Sequence, residues 1–348
     1  MAAEFGVALA SMQRALRRAG RARLLQVRER HAVRVLPGAA ARAGRRLARL
    51  AAQSQRRRVA VLLPERYFPL SGNPFYNELT QAIIIESRHR GILTSVIPWS
   101  LYGQVSASGA LARRGFGAAF AIGFRPEHMV SLYVLREHHF PVATFNRRYD
   151  EIDTPSVRID DYAAARSLVD GLVELGHRNI CLVIHETSPT GEPADVRHGR
   201  TAGWIDAVRA HGLTRHCLMP IYVGSLSPLD FYNPLFVRLM RSSVRPTALV
   251  FGHVPWALQF LANPRFRHLE VPREVSLVTF EGSPELAQFR WCPPLTTLRT
   301  ETKRIAQCAV ETLEKLLAGD PKPPTIRVPM KVEYTDSLGA APAKRRRR

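Results

Sequence analysis

From residue 59 onward, short apolar runs alternate with longer stretches in which apolar positions recur every three or four residues. "VAVLLP" is a compact β-rich run ending at Pro64, the pattern of a strand covered on both faces. "SGNPFYNELTQAIIIESRHRG" follows with helical spacing; Asn73 is placed to cap, Pro74 suits the first helical position and Gly91 stops the helix. The alternation then repeats. "ILTSVIP", "GAAFAIG" and "FPVATFN" read as strands, with helices "ASGALARR" and "PEHMVSLYVLREHH" between them. After the turn-rich "RRYDEIDTPS" come a strand, a helix and a strand in "VRIDDYAAARSLVDGLVELGHRNICLVIH". The helix "GRTAGWIDAVRAHG" and a second series of strands and helices carry the pattern to "TIRVPMKVEYT". So many strand–helix–strand units predict an α/β protein with mostly parallel sheets, and too many for one small sheet. A break near 146–160 divides them into two lobes.

Composition adds a contrast between the ends and the middle. The 348 residues carry a net charge of +21, yet residues 1–58 hold 15 arginines against Glu4 and Glu29, and the chain closes on "KRRRR". Basic ends on a nearly neutral body suggest a polyanion held by the ends and a different ligand held by the body. The four cysteines, Cys181, Cys217, Cys292 and Cys308, are far apart and read as buried free thiols of a cytoplasmic protein. No stretch is long and apolar enough to span a membrane. The chain has no GxSxG, HExxH or GxxxxGK[ST], no metal-spaced histidine pair, and a Gly115/Gly117 pair in the wrong context for a dinucleotide loop. These absences predict a protein without enzymatic activity, cofactor or metal.

Open α/β sheets bind ligands beyond the C-terminal ends of their strands, which directs attention to the residues just after each apolar run. Phe75 and Tyr76 place two aromatic faces there; Asn146, Arg147, Arg200, His253 and Glu281 add polar and charged groups. Aromatic planes would cover the apolar face of a polyhydroxylated or heterocyclic metabolite, and the forked polar groups would meet its hydroxyls. Each also has a plainer role: core packing for the aromatics, a turn cap for Asn146, a helix-start charge for Arg200.

From about Val59 to Thr335 the chain resembles the effector-binding domain of the LacI/GalR family of bacterial transcription regulators. The resemblance is carried, in order, by "NPFYNELTQAI", "TPSVRIDDYAAARSLVDGLVELGHRNICLVI", "GRTAGWIDAVRAHGL", "RPTALVFG", "VPREVSLVTFE" and "PPLTTLRTETKRIAQCAVETLEKLLAG". It implies a two-lobed, periplasmic-binding-protein-like fold over 59–335, with one lobe formed by 59–158 and 296–320 and the other by 159–292 and 321–335. Crossings would fall near 146–158, 290–298 and 320–325, and 336–348 would be a basic disordered tail. Phe75, Tyr76, Asn146 and Arg200 then fall on effector-contacting positions. His253-Val254 stands where the family usually has Asn-Asp, and Glu281 where it usually has Asp, so an ordinary inducer sugar need not fit.

Residues 1–58 resemble a divergent or truncated helix-turn-helix and linker, a small all-α DNA-binding segment. "GVALASMQRAL" is similar to the end of the turn and the groove-reading helix. Leu9, Met12 and Leu16 form an apolar stripe, while Ser11, Gln13, Arg14, Arg17 and Arg18 are the polar remainder. Gln13 and Arg14 have the chemistry for base or phosphate contact, and Leu9 and Ala10 fall at the helix start. "LPGAAARAGRRLARLAAQSQRRR" aligns with either a third helix or a hinge helix. The resemblance implies a dimeric repressor that binds double-stranded operator DNA under control of a small, sugar-like effector. A stand-alone cytoplasmic binding protein without specific DNA recognition is the alternative.

Overall fold

The computed structural model describes residues 8–26, 33–44, 57–146, 152, 154–185, 199–213, 218–223 and 236–343. At the N-terminus, helix α1 (Leu9–Arg21) is followed by a two-stranded antiparallel ladder of β1 (Leu25–Gln26) and β2 (Arg34–Val35), and residues 39–44 are again helical. The helix was expected; the ladder makes the segment more than all-α.

The body is two lobes, each a six-stranded sheet with helices on both faces. The first begins with β3 (Arg58–Pro64), where Val59 to Leu63 are wholly buried, as the unbroken apolar run requires. Then come α2 (Pro74–His89), β4 (Leu93–Trp99), α3 (Gln104–Ala110), β5 (Ala118–Ala121), α4 (Met129–Glu137), β6 (Val142–Phe145) and β7 (Ser156–Ile159). The second lobe supplies α5 (Asp161–Glu174), β8 (Ile180–His185), α6 (Arg200–Ala210), β9 (Leu218–Val223), β10 (Ala248–Phe251), α7 (Val254–Ala262), β11 (Ser276–Phe280) and β12 (Thr296–Thr300). The chain returns to the first lobe with α8 (Thr302–Leu317) and β13 (Ile326–Val328) and ends in β14 (Met330–Glu333). The sheet orders are β13-β7-β6-β5-β3-β4 and β14-β12-β11-β10-β8-β9. All pairings are parallel except β12 with β14.

The lobe boundaries differ from those expected. Residues 296–300 belong to the second sheet, in register with β11 (Val278↔Thr296), and 326–328 belong to the first, beside β7. The crossings are therefore single residues: Asp160, Glu301 and Pro329. "IRVPMKVE" looks like one strand, but proline has no N–H to give a ladder, and Pro329 is where the chain changes sheets. The crossings lie side by side, since the Asp160 amide donates to the Val328 carbonyl (2.9 Å) and Lys331 pairs with Glu301.

Two further corrections concern capping and the C-terminus. The Asn73 side chain does not cap α2; its Nδ2 donates to the Tyr67 carbonyl (3.0 Å) and so fixes the turn after β3. Asp160, by contrast, does cap α5, accepting from the Ala163 amide. Residues 336–341 are not a loose tail. The Ser337 hydroxyl accepts from the Thr296 amide and donates to the Leu277 carbonyl, each at 2.7 Å, and Ser337 is fully buried. The Ala341 amide reaches the Leu175 carbonyl (2.8 Å), and only 344–348 lie outside the described residues. Free main-chain groups at the starts of β11 and β12 are satisfied this way, which composition could not reveal.

Cys181, Cys292 and Cys308 are buried thiols outside any disulfide; burial pushes the Cys292 thiol up to about 12, which keeps it protonated. Cys217 lies outside the described residues.

Candidate functional site

The wall of the first lobe is aromatic and grows from the ends of β3, β5 and β6. Immediately after β3, the turn Glu65–Tyr67 sets the Tyr67 ring against Tyr76, with centroids 4.3 Å apart. Phe75 meets Tyr76 edge-on at 5.5 Å and lies 6.1 Å from Phe145 at the end of β6. Arg66 covers Tyr67 from outside, its guanidinium 4.7 Å from the ring centroid, and donates to the Tyr67 hydroxyl (2.9 Å). Gly123 lies beneath the pair. Its φ of +65° suits glycine, and a Cβ there would come within 2.8 Å of Tyr67 Cε2.

The wall of the second lobe is charged. Gly203 of α6 lies so close to the Tyr162 carbonyl of α5 that a Cβ there would overlap its oxygen. This close packing brings the two helix starts together, Asp161 on α5 and Arg200 on α6. The Arg200 Nε donates to Asp161 Oδ1 (2.7 Å), one terminal nitrogen donates to Glu281 Oε1 (2.9 Å), and the other donates to the Gly252 carbonyl. Its guanidinium lies 4.5 Å from the centroid of the Phe280 ring. Burial opposes the Arg200 charge, but Asp161 and Glu281 more than offset it and hold the pKa above its ordinary value. The cluster carries two carboxylates for one cation. Burial, then the neighbouring Tyr67, pushes the Tyr76 hydroxyl's pKa up, and the charge of Glu281 in the other lobe adds to the shift. The aromatic and charged walls thus lie within electrostatic reach of each other.

The expected site residues divide accordingly. Phe75 and Tyr76 are half-buried and pack on the first-lobe core as well as forming its wall, so they serve both roles. Arg200 and Glu281 meet directly. His253 is half-buried at the start of α7, next to the Gly252 that Arg200 contacts. Asn146 is exposed with φ +61°, and its Oδ1 accepts from the Ile159 amide (3.1 Å), so its side chain ties β6 to β7. Arg147 lies outside the described residues. Tyr67 and Asp161 were missed, although they lie just past the ends of β3 at Pro64 and β7 at Ile159, where the same strand-end rule would have found them.

On α1, Ala10, Ser11, Gln13, Arg14, Arg17 and Arg18 are exposed, while Met12 and Leu16 are half-buried; Leu9 opens the helix. The apolar stripe thus turns inward at positions 12 and 16, leaving a basic outer face. Among the described residues no cluster of His, Cys, Asp and Glu could hold a metal, and no helix is long and apolar enough to cross a membrane.

Comparison with known proteins decides the family. Residues 57–227 match the family described as periplasmic binding proteins and sugar binding domain of the LacI family, and 169–338 match a periplasmic binding protein-like domain. The chain belongs to the LacI/GalR family. The matched part spans 56% of a relative named as the HTH-type transcriptional regulator EndR of Paenibacillus polymyxa, at 27% identity over 55% of this chain. The HTH-type transcriptional repressor CytR of Escherichia coli K12 is 24% identical over 77% of this chain and 74% of its own length. Among solved structures, the LacI family regulator CCPA of Weissella paramesenteroides, with bound sucrose, shares the fold. Its TM-score is 0.63 at 20% identity, covering 81% of this chain and 99% of that one.

Within this LacI/GalR fold, the strand ends that carry the aromatic and charged walls face the cleft between the lobes. The chemistry available is recognition. Rings can stack on the C–H face of a sugar-like ligand, and carboxylates can accept from its hydroxyls.

Proposed function

We propose that this protein is a transcription regulator, a dimeric repressor in the cytoplasm, that binds operator DNA through its N-terminal segment. A small polyhydroxylated metabolite bound between the lobes sets its DNA affinity. The observation that carries this reading is the pairing of the Tyr67–Tyr76 wall with the Arg200–Asp161–Glu281 cluster. Two carboxylates on one arginine leave an excess of acceptors, which suits a neutral ligand rich in hydroxyl donors better than an anion. The sucrose bound by the Weissella relative supports that ligand class. The mostly exposed Ile85 on α2 and Leu93 at the sheet edge supply apolar surface for self-association through the first lobe.

The test is a calorimetric and thermal-shift panel of mono- and disaccharides, sugar acids and nucleosides against the full chain, with mass by light scattering. A neutral sugar that binds and raises Tm, to a particle of twice the chain mass, is the expected result. Preference for sugar acids over their neutral parents would overturn the ligand class. Binding in the cleft with no duplex DNA retained at any salt would leave a stand-alone binding protein.

A further inference from the structure

The ladder that follows α1 changes how the N-terminal segment can meet DNA. A three-helix headpiece would leave its reading helix through a loop into another helix. Here α1 ends at Arg21, Arg23 turns the chain sharply with φ +53°, and β1 starts at Leu25. β2 returns antiparallel to it, with Leu25 opposite Val35 and Gln26 opposite Arg34, and the Leu36 amide extends the ladder to the Leu24 carbonyl (3.1 Å). Arg42, from the helical turn at 39–44, locks the junction. Its Nε and one terminal nitrogen donate to the Arg23 carbonyl (3.1 and 2.9 Å), and that nitrogen also donates to the Pro37 carbonyl (2.8 Å). An isolated two-stranded hairpin is marginal in water, so this fork and the packing of β1 on α1 hold it at one angle to the helix.

Charge and exposure then define the surface. α1 has no acidic residue, and Gln13, Arg14, Arg17, Arg18 and Arg21 are all exposed, while Met12, Leu16 and Ala19 are turned inward. Directly opposed residues of a ladder share a face, so Gln26 and Arg34, both exposed, stand side by side on the hairpin. At about 1.5 Å per residue, the 13 residues of α1 make a rod of roughly 20 Å, which the major groove accepts.

We infer that the N-terminal segment is a helix-and-wing reader of duplex DNA. α1 enters the major groove through Gln13, Arg14 and Arg17, and the β1–β2 hairpin, through Gln26 and Arg34, grips the flanking backbone and minor groove. The inference rests on the proposed DNA-binding function and refines it. A helix alone would leave the hairpin energetically idle; a wing gives it a contact that fixes the register of the helix.

The experiment begins by selecting duplexes with the full-length chain from a library carrying 30 randomised base pairs. Binding to the enriched duplex and to its scrambled counterpart is then compared for wild type, Q13A/R14A and Q26A/R34A, with and without the minor-groove ligand distamycin. All four side chains are exposed, and an unchanged Tm verifies folding of each variant. Wild type should discriminate the enriched duplex and lose affinity when distamycin is added. Q13A/R14A should lose discrimination. Q26A/R34A should bind about tenfold more weakly and no longer respond to distamycin. A hairpin variant with wild-type affinity and distamycin response overturns the wing while leaving DNA recognition intact. Equal losses on enriched and scrambled duplexes for Q13A/R14A overturn the reading of the major groove by α1, since they signify arginine attraction alone. Failure to enrich any duplex removes the DNA-binding function itself, and the wing with it.

Discussion

Arg200 occupies the first position of α6, where a cation opposes the helix dipole, so helix stability does not explain its presence. Its side chain is only 10% exposed and lies between Asp161, 18% exposed, and Glu281, 44% exposed. Removing the guanidinium leaves two carboxylates facing each other with no cation between them. Arg200→Ala is therefore expected to lower stability by about 2–4 kcal/mol. Glu281→Gln keeps a hydrogen-bond acceptor at a more solvated position and is expected to cost less than about 1 kcal/mol. Urea denaturation of both variants checks the order, and a larger loss for Glu281→Gln would contradict it. Gly203→Ala tests how the pair is positioned. Its Cβ would meet the Tyr162 backbone oxygen, so α5 and α6 must separate, at a cost of about 2–3 kcal/mol and, under the proposed function, with weakened effector binding. Unchanged effector affinity in this variant would show that the Arg200–Asp161 contact is not needed.

At the scale of elements, the C-terminal strap offers a pH dependence. His177 Nε2 donates to the Gly339 carbonyl (3.0 Å), Nδ1 pairs with the Thr247 hydroxyl (2.8 Å), and the ring is wholly buried. Burial lowers the His177 pKa below its ordinary 6.5, and the Gly339 bond only partly opposes this. The unfolded chain therefore takes up the proton first. The stability held by the neutral ring is complete above the unfolded pKa and is lost as pH falls from about 6.5 toward the lower folded value. Between about pH 7 and pH 5, Tm should fall more steeply for wild type than for His177→Gln, which has no proton to gain there. Parallel curves would exclude His177 as the source of acid sensitivity. The strap, residues 336–341, was not legible in the sequence, because "DSLGAA" lacks the periodicity that marks an element and is held by main-chain bonds and one buried serine. The β1–β2 ladder was missed for a related reason: two residues per strand are too few to show alternation. Longer elements such as β3, α2 and α8 stood out because burial on one or both sides demands a sustained apolar pattern. Half the cleft was legible for the same reason: strand ends located Tyr76, Arg200 and Glu281. The side-chain bond that takes Asn146 toward β7 depends on a left-handed backbone that its sequence neighbours do not announce.

For the whole molecule, the decisive geometry is that the lobes are joined through single residues at Asp160, Glu301 and Pro329. Three short crossings side by side form a hinge rather than a rigid seam, and the aromatic and charged walls stand on opposite sides of it. A ligand touching both walls gains contacts only in the closed arrangement, and so shifts the population toward closure. In chain order the N-terminal segment precedes β3 of the first lobe, so in the proposed dimer closure can change how two such segments are presented to DNA. This is a coupling free energy, and linkage makes it reciprocal. If the effector weakens DNA binding by about tenfold, saturating DNA must weaken effector binding by the same factor, a coupling of about 1.4 kcal/mol. Calorimetric titration of the effector into free protein and into the protein–duplex complex measures both arms. Arg200→Ala should bind effector at least about tenfold more weakly yet keep wild-type affinity for DNA in its absence, because the arginine belongs to the cleft. An effector that binds the cleft yet leaves DNA affinity unchanged, and whose own affinity saturating DNA leaves unchanged, would show that the cleft and the N-terminal segment are uncoupled and would sink the hinge mechanism.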